Sequence, residues 1–198
     1  MDFSGVHLNP SKPLPQEIQE FLDDAPNGVV YFSLGSNIKS SLLSKKLKQE
    51  ICNTFNELPY RVLWKFEQSN FTKLSNNVKI AKWLPQQDIL SHPNIKVFIT
   101  QGGLQSLEEA IRKRVPLVGM PFYIDQPKNM DRMEKLGIGK VIDKATLTKK
   151  SFKKIIIEVA ENSKYRKNVE RVATLLDDQP MKSLDKVVWW IDIGCLTC

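Results

Sequence analysis

The sequence predicts an α/β fold, an open and doubly wound parallel sheet with helices on both faces. Three observations predict it. Short, nearly continuous apolar runs bounded by turn residues, such as Val29 to Leu34 and Ile95 to Thr100, have the character of strands buried on both sides. Between such runs lie segments whose apolar residues fall on one helical face. The two kinds of segment alternate along most of the chain, which is the βαβ pattern.

Residues 1–27 hold Pro10, Pro13, Pro15 and Pro26 and read as a lead-in with one short helix, Gln16 to Leu22. The first strand is Gly28 to Leu34, and Gly35-Ser36 turns the chain toward a helix from about Ser44 to Leu58. Leu47, Ile51, Phe55 and Leu58 make its apolar stripe. Arg61 to Phe66 and Val78 to Trp83 are the next strands, the second entered through Asn76-Asn77. A short helix, Gln86 to Ser91, is stopped by His92-Pro93. Then come strand Ile95 to Thr100, helix Leu104 to Arg114, strand Pro116 to Met120, helix Gln126 to Leu136 and strand Lys140 to Ile142. From Lys149 the chain is helical. Tyr165, Val169, Val172 and Leu176 form a stripe behind a cap at Ser163, and a last helix starts near Pro180 and runs to about Asp192. The organisation is a lead-in at 1–27, an α/β domain at 28–180, and a helix with a tail at 181–198.

Composition narrows the function. The chain has 198 residues, 41% hydrophobic and 26% charged, enough to bury a full core without disulfides or metal. Its net charge of +7 suits an anionic ligand, but the lysines fall in short steps such as Lys45-Lys46 and Lys149-Lys150. With no aromatic-interleaved basic motif, they read as solvated surface, and no nucleic-acid partner is expected. No apolar run of about 20 residues exists and Met1 to Pro15 has no signal-peptide pattern, so the chain as given reads as soluble. Cys52 reads as a small core residue, and Cys195 and Cys198, lacking further ligands or a strand–helix context, as a frayed tail.

In open α/β sheets ligands bind beyond the carboxyl ends of the strands. That singles out Ser33 and Ser36, Lys65, Trp83 and Gln86, Gln101 to Ser106, and Phe122 to Gln126. Thr100-Gln101-Gly102-Gly103 passes from a strand into a helix start, where two glycines admit close approach and free N–H groups favour an anion such as a diphosphate. It is neither the G-x-G-x-x-G dinucleotide fingerprint nor a phosphate loop ending in Gly-Lys-Ser/Thr. Ser106 and Glu109 have the S-x-x-E spacing of a capping box. Equally, they suit a phosphate oxygen and two ribose hydroxyls. Trp83, at a strand end before Leu84-Pro85-Gln86, is either core, like Trp64, or a flat face for a base. Asp125-Gln126 either starts a helix or bonds sugar hydroxyls. His92 reads as structural, and the sequence offers no His–Asp pair at a credible active-site spacing.

At these residues the chain closely resembles the UDP-glycosyltransferases. The run W-L-P-Q-x-D-I-L-x-H-P-x-x-x-x-F-I-T-x-G-G-x-x-S-x-x-E-A-x-x-x-x-V-P-x-V-G-x-P-x-x-x-D-Q is met from Trp83 to Gln126, and Val30 to Ser36 and Val62 to Phe66 are similar to the family too. The resemblance implies the C-terminal half of a GT-B fold, Rossmann-like, in an inverting and metal-independent enzyme that conjugates small lipophilic acceptors. The lack of a D-x-D motif agrees with the last point. It implies Trp83 on uracil with the Leu84 backbone at its edge, and Gln86 and Glu109 on the ribose. Ser33, Ser36, Gln101, Gln105 and Ser106 would surround the diphosphate, with Asp125 and Gln126 on the sugar, and Lys65, Gly102 and Gly103 complete the expected UDP-sugar-binding set.

Three departures qualify it. Gln101 replaces a histidine common in the family and makes T-Q-G-G resemble the insect branch, which points to UDP-glucose as donor; the resemblance implies no cofactor. Lys65 stands where many members have arginine, keeping charge but losing the bidentate fork. The family's acceptor half, with its general-base histidine and partner aspartate, would precede residue 1, so no catalytic residue is expected here. The family's membrane span is likewise expected outside this stretch, and the resemblance implies a parent enzyme at the endoplasmic reticulum membrane, lumenal side. Two competing readings are a non-catalytic nucleotide-sugar-binding or interaction module and a nucleotide-sugar epimerase of the same fold.

Overall fold

The computed structural model describes residues 10–67, 74–178, 181 and 183–196. In chain order the elements are α1 (Gln16–Asp23), β1 (Val29–Ser33), a 3-10 turn (Ser40–Leu42), α2 (Lys45–Phe55), β2 (Arg61–Lys65) and β3 (Val78–Ala81). Then follow α3 (Gln86–Leu90), β4 (Ile95–Thr100), α4 (Leu104–Arg112), β5 (Leu117–Gly119), α5 (Gln126–Lys135) and β6 (Gly139–Val141). Three helices close the chain, α6 (Lys149–Glu161), α7 (Ser163–Asp177) and α8 (Ser183–Leu196).

The six strands are all parallel, in the order β3-β2-β1-β4-β5-β6. Strand order reverses between β1 and β4, so a crevice opens at their carboxyl ends, where Ser33 and Thr100 are partners in the register. Alternate side chains along each strand serve opposite faces. Val30 and Phe32 join Phe55, Trp64 and Phe152 beneath α2 and α6, while Val29 and Tyr31 join Phe98, Leu107 and Val169 on the other face. Ile18, Leu22 and Ala25 belong to that second cluster.

Some boundaries differ from expectation. Strand β3 stops at Ala81 rather than Trp83, because it is the edge strand and no neighbour on its far side extends it. The α7 cap is Asn162, whose side chain accepts from the Lys164 N–H at 3.0 Å, one residue before Ser163. Helix α8 runs past Asp192 to Leu196 and takes in Cys195, so this part of the tail is helical, while the expected Pro180 start and Cys198 lie outside the described residues. Cys52 is buried as expected, and burial pushes its thiol up to about 11. Lys149 and Lys153 meet Glu57 at 2.8 and 3.3 Å, which fits the solvated-surface reading of the paired lysines. Among the described residues no helix is long and apolar enough to cross a membrane.

His92 has an acid partner that fits its structural reading. Its Nδ1 accepts the Asn94 N–H at 3.2 Å, which leaves the proton on Nε2 to meet Asp23 Oδ1 at 3.0 Å. That pair ties the end of α1 to the start of β4. It stands at the amino edge of the sheet, away from the crevice, so its role is structural.

Candidate functional site

At the exit of β1, Ser33 Oγ accepts the Gly35 N–H at 3.3 Å, and Gly35 turns the chain with φ +72°. Lys65, at the end of β2, donates its ammonium to the Gly35 carbonyl at 2.7 Å. Its charge therefore fastens this loop, and the exposed Ser36 follows on it.

At the exit of β4 the two glycines behave as their type requires. Gly102 has φ +91°, and a Cβ there would stand 2.6 Å from the Met130 side chain. Gly103 is the N-cap of α4, and no side chain caps that helix. The first-turn N–H groups of α4 thus receive no acceptor from the cap residue's own side chain. Gln101 is only 7% exposed, lies against Gly35, and its Oε1 has no hydrogen-bond partner among the described residues.

Ser106 is inside α4, the third residue after the cap, so the capping-box reading of Ser106 and Glu109 fails. Both side chains instead meet Gln86 from the start of α3. Gln86 Nε2 donates to Ser106 Oγ at 3.0 Å and to Glu109 Oε2 at 2.6 Å, and Gln87 Nε2 donates to Glu109 Oε1 at 3.0 Å. From below, the buried Tyr31 hydroxyl donates to Gln86 Oε1 at 3.3 Å. Burial, with the Glu109 charge a smaller contribution, raises that phenol above its usual range. The hub gathers residues 31, 86, 87, 106 and 109 at one point of the crevice.

Trp83 stands beside this hub in sequence and is 72% exposed, whereas Trp64 is wholly buried. The core reading of Trp83 is therefore excluded. Leu84 is buried, anchoring the segment between the exposed indole and α3.

The β5–α5 loop carries the last candidates. Asp125 is exposed and is the N-cap of α5 without a side-chain cap bond. Gln126 turns inward. Its Oε1 accepts from the N–H groups of Phe122 at 2.8 Å and Tyr123 at 3.3 Å, so this oxygen shapes the loop. Between them Ile124 has φ +60°, a left-handed conformation that a β-branched residue rarely adopts, and is 86% exposed. Nothing buried rewards that strain. Ile124→Gly should therefore raise stability by roughly 0.5–1 kcal/mol, the relief of the left-handed penalty less the extra freedom of glycine when unfolded. A thermal melt should show an increase of about 2 °C, with Ile124→Ala giving none.

Two residues in contact with these candidates escaped the sequence reading, Tyr31 under Gln86 and Asn129 on α5. Asn129 is buried, and its Nδ2 donates to the Gly102 carbonyl at 2.9 Å and to Asp125 Oδ2 at 2.7 Å. The D-x-x-x-N spacing, which puts both residues on one helical face, was the available signal.

A parallel sheet in this order, with polar side chains from four strand exits gathered at its switch point, defines a Rossmann-like α/β domain with a ligand crevice. Solved glycosyltransferases share the fold. A variant of Os79 from O. sativa in complex with UDP superposes with a TM-score of 0.77 at 25% identity, over 94% of this chain and 45% of that one. The glycotransferase of kitacinnamycin gives 0.69 at 25%, over 76% and 39%. The family described as "UDP-glucoronosyl and UDP-glucosyl transferase" matches residues 1–194, and the chain belongs to it.

Curated relatives at 38% identity include the ecdysteroid UDP-glucosyltransferase of Spodoptera littoralis nuclear polyhedrosis virus, over 95% of this chain and 38% of that protein. UDP-glucosyltransferase 2 of Dactylopius coccus matches 97% and 37%, and UDP-glucuronosyltransferase 2B15 of Homo sapiens 97% and 36%. The chain thus spans little more than a third of the length of these relatives.

Proposed function

We propose that this chain is the donor-binding half of an inverting, metal-independent UDP-glycosyltransferase, with UDP-glucose as donor and a small lipophilic acceptor. The observation that carries the proposal is the Gln86–Ser106–Glu109 hub beside an exposed Trp83 at the switch point. In this reading uracil stacks on Trp83 with its edge on the Leu84 backbone, and the carboxylate of Glu109, with Gln86, takes the ribose hydroxyls. The diphosphate lies over Gly102 and Gly103 against the first-turn N–H groups of α4. Ser33, Ser36, Gln101, Gln105 and Ser106 surround it, with the Gln101 amide N–H as a donor to a phosphate oxygen and Lys65 holding the Gly35 loop. Asp125 and Gln126 hold the sugar.

When an acceptor hydroxyl attacks the anomeric carbon, the sugar–oxygen bond to UDP breaks and negative charge grows on the diphosphate. Fixed N–H dipoles aimed at that charge stabilise the transition state more than the ground state. The base that takes the acceptor proton is assigned to the part of the relatives that this chain does not match.

The donor sugar is the finer step. Relatives at equal identity are named as glucosyl and glucuronosyl enzymes, so identity does not choose between them. Asp125-Gln126, which suits equatorial hydroxyls, and the insect-like Gln101 favour glucose. Calorimetric titration with UDP, UDP-glucose and UDP-glucuronic acid tests both levels. Saturating UDP, near 100 Kd, should also stabilise the protein by about 2.7 kcal/mol. No heat and no thermal shift at millimolar UDP overturns the donor-site reading in favour of an interaction module.

A further inference from the structure

Two parts of the crevice that the chain reaches separately are joined by one side chain. Gly102 belongs to the turn after β4, and Asp125 to the loop after β5. Asn129, one turn into α5, donates from the same amide nitrogen to the Gly102 carbonyl and to Asp125 Oδ2, at 2.9 and 2.7 Å. It is 7% exposed, so water competes little for either bond. Its neighbour Met130 lies under Gly102, where a Cβ would stand 2.6 Å from the methionine methyl carbon. The first turn of α5 therefore grips Gly102 from the carbonyl and from the Cα side at once.

The loop ahead of α5 is fixed just as firmly. Gln126 Oε1 holds the Phe122 and Tyr123 N–H groups, Lys144 donates to the Pro121 carbonyl at 3.1 Å, and Asn129 N–H returns to the Asp125 carbonyl at 3.0 Å. Held at these points, the chain passes through the strained Ile124 and delivers Asp125 next to Asn129. Strain of this kind persists where surrounding bonds over-determine the backbone.

We infer that Asn129 is a positioning residue that sets the sugar-binding carboxylate of Asp125 in register with the diphosphate turn at Gly102. The inference rests on the donor-site reading proposed above. Asn129 touches no part of the donor. Its amide holds one Asp125 oxygen, which leaves the other oxygen aimed and free to accept from a sugar hydroxyl. Because the same amide holds Gly102, the carboxylate is referenced to the turn that carries the diphosphate. The separation of these subsites is then fixed before the ligand arrives.

The role predicts a divided effect. UDP alone should report on Asn129 only weakly, because Met130 still seats the Gly102 turn and UDP makes no use of Asp125. UDP-glucose should report on it strongly, because only it spans both subsites. The experiment is calorimetric titration of UDP and UDP-glucose against the wild type, Asn129→Ala, Asn129→Leu, Asp125→Ala and the double variant Asp125→Ala/Asn129→Ala, with thermal melts on each. Asn129→Leu nearly keeps the volume, removes both N–H donors and adds no charge, so it serves if alanine disturbs folding.

The expected result is a UDP Kd within about twofold of wild type. The ratio of the UDP Kd to the UDP-glucose Kd should fall about tenfold in both single variants at Asn129, the effect of losing a hydrogen bond made by a charged group. Adding Asn129→Ala to Asp125→Ala should lower the ratio no further. Equal weakening of both ligands, or additive loss in the double variant, would show a merely structural role and overturn the inference while leaving the donor site intact. If the wild type binds neither ligand, the donor-site reading fails and takes this inference with it.

Discussion

Trp83→Ala is expected to weaken UDP binding by about 1–3 kcal/mol, a five- to 150-fold rise in Kd, with the melting temperature unchanged. The two halves of that expectation come from one number. An indole left 72% exposed contributes little burial to the folded chain, so its removal opens no cavity. A large exposed aromatic at the mouth of a polar crevice has its flat face available to a base, and stacking tolerates loss of the ring poorly. Trp83→Phe should keep most of the affinity, since a smaller ring still offers a π face. Trp64→Ala is the contrast. That side chain is wholly buried, touches Phe32, Phe55 and Phe66, and donates to Ser40 Oγ, so its removal should cost stability on the order of 3–5 kcal/mol. An unchanged UDP titration for Trp83→Ala would remove the base from this position.

The same pair of tryptophans shows what the sequence could and could not decide. Trp64 follows an apolar pair and Trp83 follows the partly apolar run Val78 to Lys82, so pattern alone extends β3 to Trp83 as it extends β2 through Trp64. The difference is lateral. Strand β2 has β1 and β3 on either side and is buried, whereas β3 is an edge strand whose residues are all half-exposed, and it ends two residues before Trp83. Strand neighbours are a property of topology, which a local pattern does not contain. The central strands were legible for the opposite reason. Burial on both faces forces continuous apolar runs, and β1 and β4 lie close to where those runs are.

The crevice was legible as a set of strand exits but not as a set of contacts. S-x-x-E at Ser106 and Glu109 imitates a cap, and only the observed start of α4 at Leu104, with Gly103 before it, excludes that reading. The partner that claims both side chains, Gln86, is 20 and 23 residues away. Lys65 was legible as a charge near a diphosphate, yet its hydrogen bond goes to the Gly35 carbonyl, a partner fixed by the turn at φ +72°. Gln126 was legible as a polar loop residue, but its burial and its bonds to the Phe122 and Tyr123 N–H groups follow from the way the loop closes. Asn129 lies next to Met130 on the buried side of α5, where an amide among methionines was a signal of its own.

Glu109→Gln should weaken UDP binding by about 1.5–3 kcal/mol, the worth of hydrogen bonds to a charged acceptor. Glu109 is 7% exposed, with Gln86 Nε2 on one oxygen and Gln87 Nε2 on the other. A carboxylate offers about four lone-pair sites, so it can accept from ribose hydroxyls as well as from side-chain amides. Glutamine has nearly the same shape but turns one oxygen into a donor, which then faces the donor amide of Gln86 or Gln87. Some loss of stability, on the order of 1 kcal/mol, accompanies the change. Loss of affinity alone would therefore not identify the ribose as the partner, and a second ligand is needed. Against wild type, 2′,3′-dideoxy-UDP should bind more weakly than UDP by a similar amount, because both hydroxyl donors are gone. Against Glu109→Gln, the two nucleotides should bind nearly alike. That convergence is the signature of a residue and a ligand group sharing one interaction, measured as a cycle across protein and ligand. If the dideoxy nucleotide loses as much against Glu109→Gln as against wild type, Glu109 braces Gln86 and Gln87 without touching the ribose, and the hydroxyls have another acceptor in the crevice.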